Sequence, residues 1–144
     1  MAQVIRATID PDDFELAPIP EAWIVEGNPL ARSRLLARSL DGTTVTSQWD
    51  CTAGSFNWHF GCEETVHILE GEVHVTDETG ASYTLRAGDV AVFHAGMKAL
   101  WDVRNYVRKL AVCRHPVPQV IGLALRATSK LGELFYAKRL LAFD

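Results

Sequence analysis

The chain has 144 residues, 48% hydrophobic and 22% charged, with a mean hydropathy of +0.03, the balance of a globular domain rather than of a disordered, fibrous or membrane-embedded chain. A fold of this size removes about two-thirds of the surface its unfolded chain exposes, so it needs neither a disulfide framework nor a structural metal. The formal net charge of −4 comes with no basic cluster able to neutralise a phosphate backbone, and no uncharged apolar run nears the roughly 18 residues of a membrane span, which argues against nucleic acid and against a spanning segment.

Residues 1–42 read as an extended arm, because short apolar pieces alternate with proline, as in Ala17-Pro18-Ile19-Pro20 and Gly27-Asn28-Pro29. The stretch 1–13 lacks a basic segment followed by an apolar one, and Cys51, Cys62 and Cys113 are odd in number without close pairing. Reduced thiols and a cytoplasmic protein are expected. From 43 to 114, runs of about five to eight residues rich in Val, Thr, Phe, Tyr and Trp are separated by Gly-containing turns, an all-β sandwich or barrel pattern.

A two-residue hairpin loop at Glu70-Gly71 would pair Leu69 with Glu72, His67 with His74 and Val66 with Val75. Val66, Ile68, Val73 and Val75 then share an apolar face with Glu64 as its odd residue, while His67 and His74 oppose each other on the far face, where a surface metal or a subunit contact would use them. Turns at Glu78-Thr79-Gly80 and Ala87-Gly88-Asp89 lead into strands 82–85 and 90–94. Beyond His115-Pro116-Val117-Pro118 the period changes. Ile121, Leu125, Thr128, Leu131 and Phe135 recur at helical spacing, with Arg126, Lys130 and Lys138 largely off that stripe. One amphipathic helix is expected in 115–144, packed on the barrel or on a second subunit; attachment to a membrane surface would want a stronger cationic face.

The stretch Gly54-Ser55-Phe56-Asn57-Trp58-His59, with Glu64 and Ile68-Leu69-Glu70-Gly71, resembles the first sequence motif of the cupins, in which two His one residue apart precede a Glu and, seven positions later, a Gly. His59 stands at the second His position and Asn57 at the first. Gly88-Asp89 and His94-Ala95-Gly96 resemble the second motif, with His94 where a Pro is usual and Ala99 where a metal-binding His would fall. With Trp49, Cys51, Trp101 and Val107-Arg108-Lys109, these landmarks are similar to the small single-domain cupins that share a domain type with (S)-ureidoglycine aminohydrolase. The resemblance covers 43–114. It implies an all-β, double-stranded β-helix (a jelly-roll-like barrel) between an N-terminal arm at 1–42 and a C-terminal amphipathic helix in 115–144, all in a single domain. It further implies a homodimer, the arm being a candidate for exchange between subunits, and one divalent metal such as Mn, Fe, Ni or Zn.

A divalent transition metal in a barrel needs imidazole and carboxylate groups converging from neighbouring strands. Asn57 and His59, two residues apart, are expected to point inward from one strand and Glu64 from the next. Asn is a poorer ligand than imidazole and Ala99 offers nothing, so such a metal is weakly held unless His94 also turns inward. Each residue has a second reading. His59 hydrogen-bonds across the barrel mouth, Glu64 pairs with a cation such as Arg108 or is kept neutral, and His94 sits on the rim. Trp101 shares the parity of Ala99 and Val103 and therefore faces the cavity, where it stacks on a planar ligand or fills the core. Cys62, next to Glu63 and Glu64, is in the wrong setting for a nucleophile.

Two functional classes follow. In one, a small-molecule cupin hydrolyses or isomerises a small polar, nitrogen-containing or carboxylated metabolite in a pocket of Asn57, His59, Glu64, His94 and Trp101, with Glu64 and His59 as the catalytic pair and a metal held by His59, Glu64 and Asn57 as Lewis acid. In the other, a non-catalytic binding module recognises a metabolite or a protein partner without metal. A structural subunit that meets its partners through the C-terminal helix is a third possibility.

Overall fold

The computed structural model describes residues 1–140, with side-chain surroundings through residue 133. In chain order the elements are β1 (Glu15–Leu16), a 3-10 turn (Glu21–Trp23), β2 (Ile24–Gly27), β3 (Ala31–Arg38), β4 (Thr44–His59), β5 (Glu63–Asp77), β6 (Ser82–Arg86), β7 (Val90–Phe93), β8 (Lys98–Arg114) and α1 (Gln119–Leu140). The molecule is all-β with one C-terminal helix, as expected. β8 lies between β4 and β5, antiparallel to both; β3 and β2 follow one another along the far edge of β4, and β7 and β6 along the far edge of β5. β1 adds to β3.

β4, β5 and β8 are far longer than the runs the turn signals suggested, because the chain bends within each instead of reversing. Register slips between Thr52 and Gly54 on β4, and between Ile68 and His74 on β5, both against the same stretch of β8. Such a slip changes which side chains face inward. On β4 the buried Trp49 and Cys51 give way to Phe56, and on β5 Val66 and Ile68 give way to Val73 and Val75.

The hairpin expected at Glu70-Gly71 does not form, since β5 continues through it with a slip in register. Gly71 has φ 73°, and a Cβ there would run into the carbonyl of Tyr106 on β8. A Gly at positive φ serves a bulge as well as a turn, so the residue was informative while the element was misread. Val66, Ile68, Val73 and Val75 still share the inner face. His67 and His74 are not opposed: His67 lies across from Leu110, and His74 lies across from Asp102 with its Nδ1 2.7 Å from Thr84 Oγ1.

The interior is largely aromatic. Trp49, Phe56, Trp58 and Trp101 pack with centroids 6.0–6.4 Å apart, and Phe60 stacks on Phe93 at 4.5 Å, separations at which edge-to-face and offset pairs are favourable.

The outer face of β4 is closed by the arm. Gln48, fully buried, donates from Nε2 to the carbonyls of Asp10 (2.8 Å) and Asp13 (3.0 Å). Asp50, 1% exposed, accepts from Arg32 Nε (3.0 Å), Arg32 Nη2 (2.5 Å) and the Tyr106 hydroxyl (2.8 Å), and the Arg32 guanidinium lies over the Phe14 ring. Burial and the bond to Asp50 push the Tyr106 phenol up to about 12. A phenol whose folded value is raised stabilises the fold fully below its unfolded value near 10 and loses that contribution as pH climbs toward 12. Wild type should therefore lose stability between pH 10 and 12 to an extent that Tyr106→Phe does not, read as the urea midpoint against pH; equal slopes for the two proteins would refute this.

α1 forms where the apolar stripe placed it, but its described residues do not pack on the barrel. Ile121, Leu123, Leu125 and Leu131 are exposed. The Phe135 side chain and residues 141–144 lie outside the described residues. Among the described residues no helix is long and apolar enough to cross a membrane.

Candidate functional site

Above the aromatic core the inner face opens into a cavity of about 480 Å³, lined among others by Ser33, Ser47, Trp49, Trp58, Glu64 and Lys109. Its position follows from strand register. Trp49 on β4 pairs with Lys109 on β8, Ser47 with Ala111, and Glu64 on β5 with Cys113, so all of these project from one face of the sheet.

The chemistry of the cavity lies in one ion pair. Lys109 Nζ is 3.2 Å from Glu64 Oε2, with the side chains only 4% and 12% exposed. The ammonium is also held over two indoles, 4.8 Å from the Trp49 centroid and 4.7 Å from that of Trp101, a cation–π arrangement that gains strength as water is excluded. Glu64 Oε1 accepts no hydrogen bond from any described residue. Arg108, the cation suggested for Glu64, belongs to the outer face and pairs with Glu70 at 3.2 Å. Lys109 was legible: Trp101, Val103, Val107 and Ala111 share an apolar parity on β8, and between the last two a lysine at 109 interrupts it.

The other expected site residues do not join Glu64. Asn57 and His59 are exposed, because the slip at Thr52 and Gly54 hands the inward positions to Phe56 and Trp58; His59 stacks instead on Trp23 at 4.5 Å. His94 is on the rim, its side chain 75% exposed, with Nδ1 2.9 Å from Glu63 Oε2. That bond, with help from the Ala95 amide, holds the Glu63 carboxyl below the usual range. Trp101 does point inward, at 1% exposure, behind Lys109 rather than on the cavity wall, and its buried Nε1 has no hydrogen-bond partner among the described residues.

The thiol expectation also changes. Cys62, just before β5, is disulfide-bonded to Cys113 near the end of β8, with Cα atoms 5.8 Å apart; Cys51 is the free cysteine, buried in the core. Cys113 lines the cavity and is the cross-strand neighbour of Glu64. This pairing removes the argument from unpaired thiols on which the cytoplasmic expectation partly rested.

These residues do not fit a divalent metal. Glu64 is met by an ammonium, its strand neighbours are Phe93 and a disulfide-bonded cysteine, and no three His, Cys, Asp or Glu side chains cluster as a metal site among the described residues. An ammonium beside a carboxylate supplies one positive charge but no coordination sites.

Residues 38–111, just over half of the chain, match the model of the EutQ-like cupin domain. The chain belongs to that family. The superfamily expected from the motifs is thus correct, and the subtype the match names is the EutQ-like one. This cupin is similar to the crystal structure of a putative ethanolamine utilization protein Q from Salmonella typhimurium LT2, with 27% identity over 59% of this chain and 69% of that one and a TM-score of 0.53. A Pseudomonas syringae protein of unknown function shares the fold at 24% identity and TM-score 0.65, over 71% of this cupin and 44% of the longer chain. The Clostridium difficile EutQ protein shares it at 14% identity and TM-score 0.54, over 69% and 81%. No curated protein matches the chain.

Proposed function

We propose that this cupin binds a small polar metabolite in its barrel cavity without a metal, the Lys109–Glu64 pair forming the floor of the site. The observation that carries this reading is the pair itself, buried at 3.2 Å at the base of a cavity of about 480 Å³, a volume within the usual range for small-molecule sites. A buried ion pair is a poor device for stability alone, because desolvation offsets most of its attraction. Asn57, His59 and His94, the groups expected to work with Glu64, all lie away from the cavity, and Glu64 is engaged by Lys109 instead, so the reading is a binding module.

Trp49 and Trp58 line the cavity and Trp101 lies behind Lys109, so indole emission reports occupancy. Titrating a panel of small amides, alcohols, amines and acids should give a saturable emission change at one equivalent for at least one compound. Ala111→Leu, which pushes a larger side chain into the cavity beside Glu64 and Lys109, should abolish that change while keeping the circular dichroism spectrum. A change that survives Ala111→Leu, or a panel without any response, would overturn the proposal. A homodimer belongs to the same proposal: β7 pairs only with β5 among the described residues and exposes Val90 and Val92, and light scattering at twice 16.0 kDa would support it.

A further inference from the structure

We infer that the cavity selects an uncharged hydrogen-bond donor, an amide or alcohol head group on a flat or aliphatic body, and discriminates against carboxylates. The inference rests on the binding reading above and adds the chemical class of the ligand. It follows from the order in which the floor presents its charges. The Lys109 ammonium is enclosed by Glu64 Oε2 and two indole faces, and its side chain is less exposed than that of Glu64. A ligand entering the cavity therefore meets the carboxylate first, through Oε1, which accepts from no described residue.

Three head groups are distinguished by that arrangement. A carboxylate would place a negative charge against Glu64, while the compensating ammonium is already engaged by Glu64 Oε2 and two indole faces. An ammonium would find Glu64 already neutralised by Lys109, so its own desolvation would be poorly offset. A neutral N–H or O–H donor satisfies Oε1 without adding charge, and a hydrogen bond to an ionised acceptor is stronger than one between neutral groups. The walls suit an apolar body: Trp49, Trp58, Val45 and Ala111 line the cavity, with the Ser33 and Ser47 hydroxyls among them and the exposed His115 as the other titratable group of the lining. Ser33 Oγ donates to the Gln48 carbonyl at 3.3 Å, whereas Ser47 Oγ has no partner among the described residues and is open to a second polar group on the ligand.

Benzamide, benzoate and benzylamine carry the three head groups on one ring and serve as probes. Titrated against the full chain at pH 7 by tryptophan emission and calorimetry, benzamide should bind at least tenfold more tightly than either of the others. Glu64→Gln leaves Lys109 as the only charge on the floor and should invert the order in favour of benzoate. Glu64→Gln with Lys109→Met, which has no charge on the floor, should narrow the benzamide–benzoate difference to within threefold and keeps the test usable if the single variant does not fold. Benzoate or benzylamine preferred by wild type would overturn the inference and leave the binding cavity standing. No saturable binding of any probe to wild type would overturn both.

Discussion

Lys109→Met should lower the unfolding free energy at neutral pH by about 3–5 kcal/mol, the cost of leaving a buried charge without its partner. The variant keeps the volume of the side chain, so little of the loss comes from packing. It strands Glu64, 12% exposed and facing Phe93 and the Cys62–Cys113 bridge, with no other cation of the described residues within ion-pair distance. Adding Glu64→Gln to Lys109→Met should restore most of the stability, because a neutral amide costs far less to bury than a carboxylate. Urea unfolding of wild type, the two single variants and the double variant gives the coupling energy directly. A coupling below about 0.5 kcal/mol, the size of an exposed pair, would show that the two side chains do not meet inside the barrel.

Replacing Cys62 and Cys113 together by serine should cost about 2–4 kcal/mol, because the bridge closes a loop with a sequence separation of 51 and so restricts the unfolded chain. The same bridge ties the turn before β5 to the end of β8 at the cavity rim, so its loss should also loosen the wall beside Glu64. Thiol counting tests the pairing itself. Burial pushes the Cys51 thiol up to about 12, so the native protein should react with a thiol reagent hardly at all. The denatured unreduced protein should show one reactive cysteine, and the denatured reduced protein all three. Three reactive thiols before reduction, or an unfolding midpoint that ignores dithiothreitol, would show that the bridge is absent in solution.

How much of this could be read from residues alone depended on whether local alternation persisted. It persists along β8, where the odd positions from Ala99 to Ala111 are buried apart from Asn105 at the bulge, and there Trp101 was placed inward and Lys109 was within reach of the same reasoning. It fails on β4, where the slip at Thr52 and Gly54 moves Asn57 and His59 to the outside. That slip depends on β8 lying alongside and on Pro29 packing where a Gly54 side chain would be, neither of which has a local signature. Glu64 lies on the inner face because no slip separates it from Val66 and Ile68. The Cys62–Cys113 pair was invisible for a related reason: the two residues meet only once β5 and β8 are in register, and spacing carries no trace of that.

The N-terminal clamp on β4 divides the leader of the chain into two parts with different tolerances. Ahead of Asp10 the described contacts with the rest of the molecule are slight, so trimming, extension or exchange of that stretch should leave the barrel intact. Between Asp10 and Phe14 the backbone carbonyls of Asp10 and Asp13 accept from Gln48 Nε2 and an aromatic ring lies over the Arg32 guanidinium of the Arg32–Asp50 pair; shortening the protein past this point would uncover that polar seam. Any shortened form intended to isolate the barrel should begin no later than Asp10.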